Sequence, residues 1–431
     1  MSKIPPFSPH NYAEHMQSTG LVASDGTILW RWKKTHWVPF PETEGERHAY
    51  RYQVKYDPDH VGADYARKCY AAAVRWVGPL PAQSTTDIIL PVLNGYLYLA
   101  GDLFVLIPHD PARGLQHVIQ CDYDPNAPEP KTFMGFLEQV LPDPAVRARV
   151  QEYIGYTFLP DARFQRAQLW LGDGANGKGV LANIVQALHH QCAAVQLDDL
   201  AGFKLASLVA ASLIYCDEAP QRRMDEQLLK SLIAGEAVQV DRKFRDPLTL
   251  RVRGKWLVLA NHFPSISDQS GGFWRRWDVL PFSVTIPEAE RKPLLADTII
   301  ANELTGVLNW AIEGLLRLLK RGGFEVGLPG PMQQLLQDAK TETNSVLAWY
   351  QDMACTLSTE ATTRKAWVYE HYVSWCQSNG MSPVASPKFW KRLPHVAGGP
   401  LLVGRAREVD GSQPRLCNVR LPSGIGLDAP V

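Results

Sequence analysis

Arg166-Ala-Gln-Leu-Trp-Leu171, Gly172-Asp-Gly-Ala-Asn-Gly-Lys-Gly179 and Val180-Leu-Ala-Asn-Ile-Val-Gln-Ala-Leu188 follow one another without a break. The first run is short and apolar and reads as a strand. The last carries apolar residues at helical spacing. Between them, Gly172, Gly177 and Lys178 supply the pattern of Gly, four free positions, Gly and Lys. Glycines let successive backbone N–H groups curl around an anion, and the lysine adds a point charge. A strand, a glycine loop and a helix start also set a helix N-terminus against phosphate. Gly172, Asp173, Gly174, Ala175, Asn176, Gly177, Lys178 and Gly179 are therefore the candidate phosphate-binding residues. After the lysine, a Ser or Thr hydroxyl ordinarily holds Mg²⁺; here Gly179 stands, followed by Val180, so the metal leans on other ligands or water. The bland alternative is a glycine-rich turn that happens to precede a lysine.

Further along, Ala210-Ala-Ser-Leu-Ile-Tyr-Cys216 reads as a buried strand that ends in Asp217-Glu218. A strand-terminal acid pair downstream of a phosphate loop suits nucleotide hydrolysis: the first holds Mg²⁺, the second orients or deprotonates water. Alone, such a pair is as often two solvated acids in a turn. Val238 to Lys255 reads as two strands around a turn near Asp246-Pro247, with Arg242, Lys243, Arg245, Arg251, Arg253 and Lys255 as a positive excess and Phe244 beside them. That is a local footprint for a polyanion, or else a charge-protected sheet edge. Trp256-Leu-Val-Leu-Ala260 is a third buried strand, ending in Asn261, which would reach a phosphate or the attacking water. Arg275-Arg276 follow a glycine turn and are surface charges or an arginine finger.

Bulk properties narrow the field. The 431 residues suffice for two or three domains. Lys plus Arg equal Asp plus Glu at 44 each, so nucleic-acid contact would need a local patch. No apolar run reaches membrane-spanning length and no signal-peptide core opens the chain, which predicts a cytoplasmic protein without a membrane partner. Seven scattered cysteines lack any Cys-x-x-Cys pair, which argues for reduced thiols. His189-His190 reads as a capping or surface pair at a helix end.

Thr86 to Leu99 reads as strand, turn at Asn94-Gly95, and strand. Lys131 to Tyr156 reads as helical, with a boundary at Pro142 and Pro144. Alternation of strands and helices after 165 predicts an α/β core with a largely parallel sheet. Arg321 to Pro331, rich in Gly and Pro, is the best linker, and a helix from about 332 to 357 leads into a small last domain. The divisions are 1–164, 165–330 and 331–431.

Taken in order, Gly172–Gly179, Asp217-Glu218, the Lys243 segment, Asn261 and Arg275-Arg276 match a superfamily 3 helicase. More narrowly, the chain resembles the phage and plasmid primase-helicases related to the poxvirus-type NTPase. Asp122-Tyr-Asp-Pro-Asn-Ala127, Gln151-Glu-Tyr-Ile-Gly-Tyr156 and Glu303-Leu-Thr-Gly-Val-Leu-Asn-Trp-Ala-Ile-Glu-Gly314 are similar to phrases of that branch. The resemblance implies an AAA+-like P-loop NTPase core, an N-terminal α+β or helical collar and a C-terminal winged-helix-like domain. It implies ATP and Mg²⁺ as cofactors and a ring, usually a hexamer, moving 3′-to-5′ on single-stranded DNA or a forked duplex in a bacterial host. Lys178 would bind the β/γ phosphates, Asp217 hold Mg²⁺, Glu218 activate water and Asn261 act as sensor. Either Arg275 or Arg276 would be the finger, and Arg242, Lys243 and Arg245 the DNA contacts. Lys388, Lys391 and Arg392, on a helix starting at Ser386, would reach phosphates. The short upstream region lacks a zinc pattern or acidic triad, which predicts no primase activity and leaves a separate primase or initiator as partner. The competing reading is an ATP-dependent DNA-binding initiator or scaffold that melts an origin without processive unwinding.

Overall fold

The computed structural model describes residues 8–84, 86–200, 205, 208, 211–219, 224–242, 245–264, 266, 271–407 and 413–421, without the side chains of 60, 240–242, 245–248 and 250. At the N-terminus, α1 (Pro9–Ser18) leads to an antiparallel sheet of β1 (Val22–Ser24), β2 (Leu29–Trp32) and β3 (Trp37–Phe40). Helices α2 (Glu42–Tyr56) and α3 (Ala63–Trp76) pack back on α1 around Tyr12, Leu29, Phe40 and Tyr70. A second antiparallel sheet follows: β4 (Ile89–Val92), β5 (Gly95–Ala100) and β6 (Leu103–Ile107). Val92 pairs with Gly95, so the turn is Leu93-Asn94, one residue earlier than expected. Gly95 serves packing instead: a Cβ there would lie 2.7 Å from the Ile107 carbonyl.

Helices α4 (Lys131–Val140) and α5 (Pro144–Thr157) flank Pro142 as expected, and Asp143 caps α5 by accepting from the N–H groups of Ala145 and Val146. Next come β7 (Ala167–Leu171), α6 (Lys178–Ala187), β8 (Cys192–Ala194), β9 (Leu213–Cys216) and α7 (Glu226–Ile233). A two-stranded ribbon of β10 (Ala237–Arg242) and β11 (Arg245–Arg251) precedes β12 (Lys255–Ala260), the short α8 (Gly271–Trp274), β13 (Trp277–Pro281) and α9 (Leu295–Arg321). β13, β7, β12, β9 and β8, in that order, form a five-stranded, wholly parallel sheet. Alternate residues face opposite layers, as strand geometry demands. Trp170, Leu257, Leu259 and Leu280 pack in the cluster that includes α4, α5, α6 and α9. Leu169, Ile214, Trp256, Val258 and Val279 pack on the other face, where α7 contributes Leu229 and Leu232.

The ribbon corrects two expectations. Arg242 pairs with Arg245, so the chain reverses between them, and Asp246-Pro247 lie inside β11. A two-stranded ribbon is all edge, and edges tolerate proline. Lys255 leaves the basic footprint: it is buried, and its ammonium donates to the Leu159 and Arg253 carbonyls. The segment after α9 is anchored, since Phe324 meets Tyr156 and Phe164 edge-on and lies under the Arg149 guanidinium.

The expected helix of about 332 to 357 is two: α10 (Gly330–Thr343) and α11 (Ser345–Asp352), separated by Asn344, whose side chain caps the second. A last cluster unites α11, α12 (Lys365–Ser378) and α13 (Ser386–Ala397) around Trp349, Tyr372 and Phe389. Short antiparallel strands complete it: β14 (Thr356–Leu357) with β18 (Val419–Arg420), and β15 (Thr363–Arg364) and β16 (Val403–Arg405) on either side of β17 (Arg415–Cys417).

Two polar features inside this frame generate predictions. Arg149 of α5 and Asp278 of β13 form a bidentate pair, 2.7 and 2.9 Å, with both side chains almost fully buried. Replacing Asp278 with Leu alone strands a buried guanidinium and should cost about 3–5 kcal/mol, whereas Arg149→Met with Asp278→Leu should recover most of it. Urea unfolding of the three proteins checks this.

His189 is buried, not a surface cap; its ring meets the Thr157 and Ser212 hydroxyls at 3.0 and 2.8 Å. His36 packs edge-on against His190, and His117 lies against the Phe158 carbonyl. Burial holds His36 and His189 down to about 3 and His117 to about 4. These rings are neutral when folded, while the unfolded chain takes up their protons below about pH 6.5. Stability is thus complete above pH 6.5 and lost as pH falls through the folded values. The melting temperature should drop steadily from pH 6.5 to 4, with a shallower slope in His189→Gln.

Candidate functional site

The glycine loop joins the C-terminal end of β7 to α6, and five hydrogen bonds fix its shape. Gly172 N–H donates to Ala260 O (3.2 Å), and Phe282 N–H to Leu171 O (2.7 Å). The Asn176 amide donates to Asp173 O (2.7 Å) and Phe282 O (3.1 Å), crossing the loop. Ile286 N–H donates to Ala175 O (2.8 Å). Ala175 and Gly177 are left-handed at φ 60° and 83°; such alternation turns successive N–H groups inward into an anion-binding nest. A Cβ at Gly172 would run into the Phe282 carbonyl, while Gly174 and Gly179 have open space where a Cβ would stand.

Lys178 begins α6 and is buried. Its ammonium donates to the Gly172 carbonyl and approaches Asn261 Oδ1 at 3.4 Å. Among the described residues no carboxylate pairs with it. Burial lowers its pKa, against the opposing pull of Asp173. An arriving anion would relieve that cost. The N-terminus of α6 has a glycine at its cap position and no acid in its first turn; the Lys178 N–H leans on Asn176 Oδ1 at 3.4 Å, and the Gly179 and Val180 N–H groups are left to meet an acceptor.

Sheet topology explains why Lys178 and Asn261 meet. β12 lies beside β7, and Ala260 pairs with Leu171. After β7 the chain leaves toward β8 at one edge; after β12 it leaves toward β13 at the other. Adjacent parallel strands whose connections part in this way open a crevice at their carboxyl ends, the usual ligand position in such sheets. Asp217 and Glu218 follow β9 on the far side of β12, exposed, with Ala219 N–H bonded to Leu259 O at 2.8 Å. Two strand spacings put them roughly 10 Å from the β7 line, a gap that phosphates and a metal can fill. The Tyr215 hydroxyl donates to Asp217 Oδ1 (2.5 Å) and orients it, its own ionisation suppressed by burial and by that carboxylate.

A pocket of about 690 Å³ adjoins the loop, walled by Phe136 and Gln139 of α4, Ala175 and Gly177, Val180 of α6, and Ile286 and Arg291. That volume is in the range of small-molecule sites. Neither α4 nor the 286–291 stretch was foreseen as part of the site. Local sequence carries no signal for them, since α4 reads as an ordinary amphipathic helix.

The arginine pair lies elsewhere. Arg275 and Arg276 precede β13, and Trp277 pairs with Ala167 at the start of β7. They therefore stand at the amino ends of the strands, a strand length of roughly 16 Å from the loop. Arg275 is exposed; Arg276 is buried, with its guanidinium on the Gly272 carbonyl. The structure brings neither to Lys178 within one chain. The ribbon rises from the same end. Lys243 and Phe244 lie outside the described residues, as do the side chains of Arg242 and Arg245. In α13, Phe389 and Leu393 are buried and Lys388 and Lys391 exposed, with Arg392 half-buried.

The loop, the acid pair, the ribbon, Asn261 and the arginine pair all fall within residues 170–276, the stretch matched by the model of a family described as of unknown function (DUF5906). Among solved structures, the apo structure of the NrS-1 C-terminal region (305–718) is similar at a TM-score of 0.54 and 12% identity, covering 96% of this chain and 99% of that one. An A-form apo structure of the same region matches equally, covering 100% of that chain. At this identity the likeness concerns the fold, and it extends over nearly the whole chain. No helix among the described residues is long and apolar enough to cross a membrane.

Steric contrast within the loop is testable. Gly172→Ala should displace Phe282 or Asn176 and lower the melting temperature, whereas Gly179→Ser, placed in open space, should melt as the wild type does. Thermal unfolding of the three proteins checks the two.

Proposed function

We propose that this chain is an ATP-driven DNA motor of the superfamily 3 type, a replicative 3′-to-5′ helicase of a phage, plasmid or integrated element. The observation that carries the reading is the approach of Lys178 to Asn261 in the crevice between β7 and β12. Polarity, ring assembly and host element rest on the resemblance alone. The loop fits a triphosphate: a buried ammonium with no carboxylate partner among the described residues, a left-handed nest, a helix start with open donors and an adjoining pocket converge on it.

In this reading the Lys178 ammonium exchanges the Gly172 carbonyl for the β/γ phosphate oxygens. Asn261 touches the γ-phosphate or the attacking water. Glu218 takes the proton from that water. Asp217, aligned by Tyr215, is the residue that would hold Mg²⁺, which when bound would supply positive charge against the developing negative charge of the phosphates. Gly179 offers no hydroxyl to assist Asp217. Arg275, being exposed and at the far end of the strands, is the finger candidate, acting on the crevice of a neighbouring subunit. Arg276 would first have to leave its carbonyl partner.

The wild type should hydrolyse ATP faster with single-stranded DNA and should unwind a forked duplex. Glu218→Gln should keep nucleotide and DNA binding while losing at least about 10²-fold in kcat. Hydrolysis without any unwinding would favour a scaffold or initiator. No hydrolysis over a range of Mg²⁺ would overturn the motor reading.

A further inference from the structure

At the end of the sheet opposite the glycine loop, a groove of about 1050 Å³ opens between the N-terminal unit and the base of the β10–β11 ribbon. The groove is lined by the arginines Arg75, Arg163, Arg251 and Arg253 and by two acids, Asp25 and Asp161. Both acids are engaged. Asp25 accepts from the N–H groups of Thr27 and Ile28 and from the Trp30 indole at 2.8–2.9 Å. Asp161 is held by Arg163 through Nε (2.8 Å) and Nη2 (2.6 Å). The other three guanidiniums have only neutral acceptors among the described residues. Arg75 donates to Ala71 O (3.2 Å), Arg251 to Gly235 O (3.4 Å) and Arg253 to Gln83 Oε1 (3.0 Å). Among the described residues no carboxylate compensates their charges, in a chain whose net charge is zero.

Two further observations point to a ligand. Gln165, on the groove wall, is held at φ 50°, a conformation that costs energy for any residue but glycine. Pro79, Pro81 and Pro160 add apolar surface to the same groove. Cationic forks together with apolar faces suit a phosphate backbone whose bases are unpaired. The groove also continues a path: Arg251 and Arg253 end the ribbon whose tip carries Arg242 and Arg245.

We propose that this groove binds the backbone of single-stranded DNA as it passes the base of the ribbon. The proposal rests on the motor reading and extends its DNA partner to residues outside the ribbon tip. Arginine forks of Arg75, Arg251 and Arg253 hold phosphates, and the amide of Gln83 is released to the strand as Arg253 turns away from it.

The test is fluorescence anisotropy of a labelled oligo(dT) with the full chain over a salt series. Arg75→Ala with Arg253→Ala should weaken binding at least about tenfold near 0.1 M salt and reduce the slope of log K against log salt by about 1.4, or about 0.7 per lost phosphate contact. Arg75→Lys with Arg253→Lys should restore most of the slope. Should loss of the Arg253–Gln83 bond unfold the double variant, Arg75→Glu alone should still weaken binding and lower the slope, because the hydrogen bond its guanidinium makes among the described residues is to its own helix. Unchanged affinity and slope, with normal wild-type binding, would overturn the groove and leave the motor intact. Equal weakening of blunt duplex binding would overturn its single-strand preference. Absence of wild-type binding to oligo(dT) would overturn both readings.

Discussion

The buried pair of Arg149 and Asp278 is the constraint on which the site depends. Asp278 is the second residue of β13 and lies opposite Gln168 of β7. Its carboxylate is satisfied only when β13 sits in that register beside α5, with Arg166 adding a third contact at 3.4 Å. The register in turn delivers Phe282 to the glycine loop, where its N–H holds Leu171 and its carbonyl holds Asn176. Misplacing β13 by one residue would turn its side chains to the wrong face and withdraw that carbonyl. An ion pair so deep contributes little net stability; here it fixes which carbonyl cradles the loop.

A second layer of support comes from phrases distant in sequence. The Glu303 carboxylate of α9 accepts from the N–H groups of Thr132 and Phe133 and so caps α4. Asn309 donates to the Asp124 carbonyl. Gly314 abuts the backbone of Gln151, and Gly155 that of Ala311, so α5 and α9 approach more closely than side chains allow. Arg317 and Arg321 then share the Glu152 carboxylate across the same seam. The three family-like phrases at 122–127, 151–156 and 303–314 are therefore one packed unit beneath the loop, and their text is packing text. Phe136 and Val140 of α4, the helix that Glu303 caps, press on Gly177, where a Cβ would lie 2.6 Å from Val140.

Much of this was legible because it is local. The strand–glycine–helix transition, the strand-terminal acids and Asn261 announce themselves by apolar runs that stop at polar residues. What was not legible is set at long range. Nothing beside Lys255 says it is buried, since its carbonyl partner Leu159 is far away in sequence. Asp246-Pro247 looks like a turn until the partner strand is known. His189 looks like a helix cap until Thr157 and Ser212 arrive on both sides. The pocket wall of α4 is likewise invisible, because amphipathicity declares that a face is buried without saying against what.

β12 is a six-residue strand, buried throughout, with neighbours hydrogen-bonded on both sides. Asn261 follows its last residue, in the crevice; Val252 and Arg253 precede its first, at the foot of the ribbon. A packed strand of this kind neither stretches nor bends appreciably, and it spans roughly 20 Å. It is a rigid spacer: the crevice end and the ribbon end of the sheet are held at a fixed separation, so neither can be repositioned without the other.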